Sequence, residues 1–468
     1  MYQQLISQHL HEGQVWGVAF KANQDWHKKC ECIEEEATRE IPYCGDVVTE
    51  VKTQRYRYFD TGDGALFTGH ALAMIAYKLA TTHDPAVFAD LETVLAGIEK
   101  LFAVTGSAGL LARAFTKNSK IQLDGESIVK VGAGRYAGYS WSGDVSQDQY
   151  SGVMFGLWSA WNLVENESIR DRIETLVTDV VDVLIQSNQV IPRESGYSDL
   201  SFSPGIADSG NAIFLISYIL MAAEMTGKSK YKNYFEKITQ KDSALDITAL
   251  SIAKLWGTID PSLTSACHYR EKTEDSYYRF NILAPWIYFL NAMSSKWGFS
   301  SEWSDVRSVF WSGFSEGFVN WPGVKNDKNA FFDQLYLLSG LSGGHYDYQK
   351  VSGHDSYSEE AAQDALRQLA GYPAGLRRKN RVLNTDEEEP GCEGTAKKAL
   401  DVERRGAVDY AWQISPYTIS QPCHQPWVEF PGVDYLLAYW MARYHGYYRK
   451  PSVSVSTPVV PQIKSTLI

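Results

Sequence analysis

The segment GDVSQDQY at Gly143–Tyr150 leads into the apolar stretch Ser151–Val164. A second segment, DTGDG at Asp60–Gly64, leads in the same way into Ala65–Ala80. Each segment places two acidic residues, three or four positions apart, at the start of a long and mostly apolar helix. Carboxylates are favoured there because the first turn of a helix exposes unpaired N–H donors. A helix that is apolar on nearly every face must be surrounded by other protein, so both predicted helices are buried.

Further apolar stretches recur along the chain, and polar, amphipathic stretches separate them. The predicted apolar helices begin near Gly64, Gln149, Ser209, Asp275, Asn329 and Val433. The predicted amphipathic helices, with apolar residues at three- and four-residue spacing, cover Pro85–Phe102, Glu167–Gln186, Lys228–Ile238, Ser301–Phe314 and Ser358–Leu369. About six such alternations predict two concentric rings of helices, with the inner ring buried on both sides. The sequence therefore predicts an all-α fold, an (α/α)6 toroid. An irregular helical protein and an open helical solenoid are the alternatives.

No second domain is predicted beside this helical pattern. Residues 57–450 are expected to form the toroid, residues 1–56 a segment that packs on it, and residues 451–468 a loosely ordered tail. The charged stretch Arg377–Asp401 is expected to be an exposed loop, because runs of charge are usually solvated. Alternating runs typical of strands are nearly missing from the sequence.

The composition is that of an ordinary globular protein with many aromatic residues. Among 468 residues, 44% are apolar and 13% are aromatic, including 14 Trp and 28 Tyr. Aromatic rings stack on the apolar faces of sugars, although large helices also use them for packing. A net charge of −12 disfavours nucleic acid as a partner. No apolar run reaches the roughly 18 residues of a membrane span, and the first residues do not resemble a secretory signal. We therefore expect a cytoplasmic protein, although a chain that has lost its leader would have the same sequence.

The cysteines and histidines do not form a recognised metal motif. His27, Cys30, Cys32 and Cys44 lie close together in sequence, but the paired CxxC knuckle of common zinc modules is missing. The Cys-His pair at residues 423–424 likewise lacks a properly spaced second cysteine motif. No nucleotide-binding loop is recognised either. The sequence therefore predicts no cofactor and mostly buried, reduced thiols.

Four aspartates at the two predicted helix starts are candidates for acid–base chemistry. We predict that Asp148 is a general acid or base and that Asp63 is its partner carboxylate. Hydrolysis of a glycoside usually needs two carboxyl groups, and a narrow apolar site pushes their pKa values apart. Helix capping also explains such residues, and it is the favoured role for Asp60 and Asp144. The residues expected to contact substrate beside the catalytic pair are Asp60, Asp144, Gln149 and Tyr150.

A Gly-rich, aromatic loop, Gly132–Trp141, comes just before the second helix start. It is predicted to form one wall of the site, with Arg135 pairing a substrate carboxylate and Trp141 or Tyr139 as a stacking platform. A surface turn with packed aromatic residues is the alternative. His70 lies nearly two turns into the first apolar helix, so a core histidine with satisfied hydrogen bonds is expected there.

Two later stretches supply further candidates. His345 and His354 flank a Tyr-Asp-Tyr sequence, and a lyase can use a histidine and a tyrosine as base and acid. A polar surface loop is the alternative for this stretch. Trp427 and Glu429 precede the last apolar helix, where Trp427 is expected to bind substrate.

The chain resembles the six-hairpin glycosidase superfamily, whose members are (α/α)6 toroids. The resemblance rests on the alternating helices over Arg57–Tyr448, on the segments Asp60–Gly64 and Gly143–Tyr150, and on Trp427–Tyr444 with its Asp434. It implies a funnel at one end of the barrel, lined by the starts of the inner helices. Members include inverting glycoside hydrolases, unsaturated uronyl hydrolases and, on related toroids, polysaccharide lyases. The expected function is hydrolysis of glycosidic bonds in oligosaccharides, including unsaturated uronyl sugars. A lyase and a non-catalytic glycan-binding toroid are the alternatives.

Overall fold

A computed structural model describes the greater part of the predicted helices. The described residues are 1–20, 55–59, 61–123, 129–194, 196–203, 209–239, 278–299, 311, 313–316, 319–322, 324–339, 356–372, 388–389, 392–402, 405, 412–413, 415–417 and 428–446. Of these residues, 64% are helical and 8% are in strands. The described part of the chain is therefore mostly helical, in agreement with the predicted all-α class.

Ten helices of at least ten residues make up this described part, and they fall into two groups. The helices buried on nearly every side are α1 (Gly64–Thr82), α3 (Gln147–Leu163), α5 (Ser209–Thr226), α7 (Tyr278–Trp297), α8 (Ala330–Ser339) and α10 (Val433–Tyr444). The amphipathic helices are α2 (Pro85–Ala103), α4 (Glu167–Gln186), α6 (Ser229–Thr239) and α9 (Ser356–Gly371). The alternation predicted from the sequence is therefore present from α1 to α7 and again from α8 to α10.

One predicted helix is wrong at its end. The apolar spacing predicts a helix over Ser301–Phe314, but Gly313–Glu316 form a strand that pairs antiparallel with Val319–Pro322. Phe314 lies opposite Trp321 in this hairpin. The alternation of apolar and polar residues in both segments suits a strand, because successive side chains of a strand point to opposite faces. Residues 301–310 lie outside the described part.

The apolar helices pack against one another. Each apolar helix contacts the next one along the chain, in the order α1, α3, α5, α7, α8 and α10. In addition, α10 contacts α1, and α3 contacts α7. Near the ends of α1 and α10, the rings of Tyr77 and Tyr444 are 5.5 Å apart. Near the starts of the same helices, Phe67 and Leu437 line one pocket. These two helices therefore run parallel. Each amphipathic helix packs on the apolar helix before it: α2 on α1, α4 on α3, α6 on α5 and α9 on α8.

Glycines set the distance between α1 and α3. A Cβ added to Gly152 would lie 2.3 Å from the carbonyl oxygen of Leu66, and one added to Gly69 would lie 2.1 Å from the carbonyl oxygen of Gly152. A Cβ at Gly156 would in turn lie 2.2 Å from the carbonyl oxygen of Gly69. The backbones touch where Leu66 meets Gly152 and where Gly69 meets Gly156, so the helices run in the same direction. Their N-terminal ends therefore lie side by side.

The first twenty residues pack on this helical core. Leu5 and Val15 belong to the main hydrophobic cluster. The strand Gly17–Phe20 lies between Arg55–Phe59, which precedes α1, and Val428–Glu429, which precedes α10. The domain boundary expected after residue 56 thus falls inside a strand. This sheet joins the N-terminal segment to the starts of two neighbouring apolar helices.

Other short strands lie in the connections, where the sequence showed little sign of them. One sheet contains Ala114–Thr116, Ser140–Ser142 and Val129–Val131, and its middle strand leads towards α3. The stretch expected to be an exposed loop contains the hairpin of Glu388–Glu389 and Cys392–Ala396, with Ala396 buried, so that expectation is wrong there. Residues 451–468 lie outside the described part. No helix in the described ranges is both long and apolar enough to cross a bilayer.

Candidate active site

The first predicted carboxylate, Asp63, lies at the N-terminal end of α1 and points towards α3. Its side chain makes no capping hydrogen bond to α1. Its Oδ1 instead accepts a hydrogen bond from Nε2 of Gln149, at 2.9 Å. The side chain is 32% exposed. Asp63 is thus a carboxylate held by a neighbouring helix yet accessible from solvent, which suits a group that must meet a ligand.

Gln149 holds Asp63 because its own amide is fixed at the start of α3. Its Oε1 accepts hydrogen bonds from the backbone N–H of Ser146 at 2.8 Å and from its hydroxyl at 2.7 Å. These bonds belong to a capping box, in which Ser146 is the N-cap. The Ser-x-x-Gln spacing is a sequence signature that could have revealed this role. Gln149 is fully buried, so it orients Asp63 rather than contacting substrate.

Arg113 connects the two helix starts, and sequence reasoning missed it. Its Nε donates to the carbonyl oxygen of Asp144 at 2.7 Å, and its Nη1 donates to that of Gly62 at 3.1 Å. The same Nη1 lies 3.9 Å from Oδ1 of Asp63. The guanidinium thus links the segments that precede α1 and α3 by hydrogen bonds. It also places a positive charge close to the Asp63 carboxylate. No local motif marks such a residue, because its partners are 31 and 51 positions away.

The favoured capping role for Asp144 is wrong. Asp144 lies two residues before the true N-cap of α3 and has a left-handed backbone, with φ of 51°. Its Oδ1 accepts from Nη1 of Arg193 at 2.7 Å, and its backbone N–H donates to Glu194 at 2.6 Å. Asp144 therefore anchors the chain before α3 through an ion pair. Arg193 and Glu194 follow the next helical hairpin, so the sequence alone does not associate them with Asp144.

Asp148 lies in the first turn of α3 and is partly exposed. Its charge acts on Tyr218 of the neighbouring helix α5. The pKa of Tyr218 is raised well above its ordinary value, first by burial and then by the nearby Tyr150 and Asp148. Asp148 thus sits beside α5, and Asp63 lies on the α1 side of the same helix start. The two predicted catalytic carboxylates therefore come from the starts of two helices that pack together.

Two predicted substrate contacts are instead parts of the core. Tyr150 is fully buried, and its hydroxyl donates to the carbonyl oxygen of Gly109 at 2.7 Å. Trp141 is 4% exposed, and its indole N–H donates to the carbonyl oxygen of Val131 at 3.2 Å. A ring with so little free surface does not offer a stacking platform. Arg135 of the same loop is exposed and lies 5.0 Å from the ring of Tyr136.

A narrow pocket opens among the starts of α1, α7, α8 and α10. The residues that line it are Phe67, His70, Asn281, Phe331, Trp412, Asp434 and Leu437. His70 is 3% exposed, and its Nε2 has no hydrogen-bond partner in the described part of the protein. Burial lowers the pKa of His70 to about 4, so the ring is neutral near pH 7. His70 is buried as predicted, while among the described residues the expected hydrogen bond at Nε2 is not found.

Asp434 brings a further carboxylate to this pocket. It is 5% exposed and lies in the first turn of α10. The hydroxyl of Tyr372 lies 2.9 and 3.0 Å from its two carboxylate oxygens and donates to them. The backbone N–H of Tyr435 donates to Oδ1 at 2.8 Å, and the indole of Trp412 donates to the backbone carbonyl of Asp434 at 2.9 Å. The sequence placed Asp434 at a helix start without giving it a role, although its position matches that of Asp148.

Several candidates cannot be placed. Asp60, His345, His354 and Trp427 lie outside the described residues, as do the cysteines and histidines at 27–44 and 423–424. Within the described ranges, no group of three His, Cys, Asp or Glu side chains is arranged to hold a metal ion.

Comparison of the chain with models of known protein families gives no match. Comparison with curated proteins gives no match either. A function for this chain is therefore argued from the geometry of the site.

Proposed function

We propose that the six apolar helices form the inner ring of an (α/α)6 toroid. Their contacts support this arrangement, because they can be followed from α1 to α3, α5, α7, α8 and α10 and then back to α1. The amphipathic helices pack outside, each on its preceding apolar helix. In such a toroid the helix starts surround one opening. Asp63, Asp148 and Asp434 would then face the same funnel.

We further propose that this funnel hydrolyses glycosidic bonds of oligosaccharides. The observation that carries the proposal is the position of Asp63, Asp148 and Asp434 at the starts of apolar helices that pack together. Asp434 also lines a pocket with aromatic walls. Asp148 would donate a proton to the leaving oxygen, and Asp63 would be the ionised partner. Gln149 and Arg113 support the second role, since they fix the Asp63 carboxylate while leaving it a third exposed.

The same proposal extends to acidic sugars, including unsaturated uronyl oligosaccharides. Arg135 is exposed in the loop before α3, and a guanidinium pairs well with a planar carboxylate. Replacement of Arg135 by Gln should then raise KM for uronic oligosaccharides and leave KM for neutral ones unchanged. Equal effects on both classes would remove Arg135 from substrate recognition.

The proposed activity is tested by incubating the protein with neutral, uronic and unsaturated oligosaccharides. New reducing ends, or loss of the enoate absorbance of an unsaturated sugar, are the expected results. Asp148→Asn should lower the rate by about 100-fold or more, the usual contribution of a general acid or base. Asp84→Asn is a matched control, because Asp84 caps the amphipathic helix α2 and Asn caps equally well.

Three results would contradict the proposal. A rise in the enoate absorbance would mean a lyase, which forms the double bond instead of consuming it. Full activity of both Asp148→Asn and Asp63→Asn would remove the two carboxylates from the reaction. Binding of oligosaccharides without any turnover across the panel would favour a non-catalytic glycan-binding protein.

A further inference from the structure

The pocket among α1, α7, α8 and α10 has the size of one small polar molecule. Its cavity volume is about 10 Å³, which is roughly the least that holds a single water molecule. Phe67, Phe331 and Leu437 form apolar walls, while His70, Asn281 and Asp434 are polar. A sugar ring is too large for this space. A water molecule fits it, since water needs only two or more polar partners.

His70 gives the strongest sign that a molecule belongs there. Its Nε2 is buried and has no hydrogen-bond partner among the described residues. A buried polar atom left unpaired is costly, so such atoms usually have a water or ligand partner. The surrounding rings of Phe67, Phe155 and Phe331 offer no hydrogen-bonding group, with centroids 6.1 to 6.2 Å from that of His70.

Asp434 lines this pocket from α10, the helix that packs beside α1. Tyr372 donates to its oxygens from outside the pocket lining, and Tyr435 donates from the backbone. A water molecule that donates one proton to Asp434 can use its remaining groups to pair with Nε2 of His70.

We propose that this pocket holds the attacking water of the reaction and that Asp434 is its general base. The inference rests on the proposed hydrolase function and refines it, because Asp63 would then bind the sugar instead of activating water. In the step, the water oxygen forms a bond to the sugar carbon as Asp434 takes its proton. The bond from that carbon to the leaving oxygen breaks, and Asp148 protonates the leaving oxygen. His70 is a positioning residue that orients the water.

Kinetics on the most rapidly cleaved oligosaccharide of the panel test this assignment. Asp434→Asn keeps the shape of the side chain but removes the base, so kcat should fall by about 100-fold or more with little change in KM. The acidic limb of the pH profile of kcat/KM should disappear as well. Asp63→Asn should mainly raise KM. His70→Phe should lower kcat more than it changes KM, because the substrate itself does not contact His70.

The outcomes separate the inference from the proposed function. If wild type turns over substrate and Asp434→Asn keeps the same kcat and the same acidic limb, Asp434 is not the general base. The proposed hydrolase function would be unaffected by that result. Tyr372→Phe is a second variant that loosens Asp434 without changing the pocket lining, and it should lower kcat by a smaller factor. Equal kcat in this variant and in wild type would also count against the assignment.

A crystal structure of the full chain tests the water site even if no substrate is found. The inference predicts an ordered water within hydrogen-bonding distance of both His70 Nε2 and the Asp434 carboxylate. A pocket filled by a side chain, or a His70 Nε2 bonded to protein, would overturn it regardless of activity.

Discussion

Acidification should destabilise this protein through His70 more than through any ordinary surface histidine. Burial lowers the pKa of His70 from 6.5 to about 4 in the folded protein. The unfolded chain takes up this proton near pH 6.5, whereas the folded protein does not take it up until about pH 4. Between those values the unfolded state binds more protons, so stability falls as the pH falls. The loss begins near pH 6.5 and is complete below about pH 4.

The size of the effect follows from the pKa difference of about 2.5 units. At about 1.4 kcal/mol per unit, the full loss of unfolding free energy through His70 is about 3 kcal/mol. At pH 5, where the folded protein is still mostly unprotonated at His70, the loss relative to pH 7 is about 2 kcal/mol. This is a large share of the roughly 5–15 kcal/mol that stabilises a typical protein.

Urea unfolding at pH 7 and pH 5 measures this effect when wild type is compared with His70→Phe. The difference in unfolding free energy between wild type and His70→Phe should change by about 2 kcal/mol between pH 7 and pH 5, because the other titrating groups are the same in both proteins. The exposed His83 supplies a control for the loss of a histidine, since His83→Asn suits its left-handed backbone. An identical pH dependence in wild type and His70→Phe, or a His70 resonance that titrates near pH 6.5, would show that burial does not lower the pKa of His70.

Three further changes should have defined effects. Gly152→Val forces a side chain into the backbone of α1 and should cost about 1–3 kcal/mol or more in urea unfolding. Gly138→Ala, which has open space around it, should cost far less, and equal costs would contradict the close helix contact. Burial and a neighbouring carboxyl group raise the pKa of Asp333, so the folded protein retains its proton and stability falls as pH rises above the ordinary Asp range. Asp333→Asn mimics the protonated acid and should raise the melting temperature at pH 8 more than at pH 5; a lower melting temperature at pH 8 would count against this. Gln149→Glu replaces the donor to Asp63 with a buried carboxylate that faces the Asp63 carboxylate, so hydrolysis should slow and the melting temperature should fall at neutral pH. Unchanged kinetics would show that the contact has no role.

The helices were predictable because their apolar residues cover nearly every face. α1 begins at Gly64, as the sequence indicates, and α3 begins at Gln147, two residues before the predicted start. That error has a local cause, since Ser146 caps the helix and the Ser-x-x-Gln signature was overlooked. Around Phe314 the apolar residues fit a helix and a strand equally well. The chain forms a strand there and pairs with Val319–Pro322.

Site residues could be predicted from the sequence only where a local sequence pattern marks them. Asp63 and Asp148 were found because a carboxylate at a helix start has a local signature. Arg113 has none, because its partners are distant in sequence. Trp141 was misassigned for a similar reason, since only the sheet around it reveals its burial. Among the described residues Nε2 of His70 has no hydrogen-bond partner. This environment is made by side chains from several helices, which no single segment of sequence contains.

We propose that the starts of the apolar helices form one sugar-binding and hydrolysing site. A crystal structure of Asp148→Asn with a bound oligosaccharide from the cleaved class is the sharpest test. We expect the glycosidic oxygen within hydrogen-bonding distance of the side chain at position 148. We also expect Asp63 to contact the same sugar and the reacting carbon to face the pocket of His70 and Asp434. A sugar bound only at another surface, with these four residues free of contact, would rule out a single site at the helix starts.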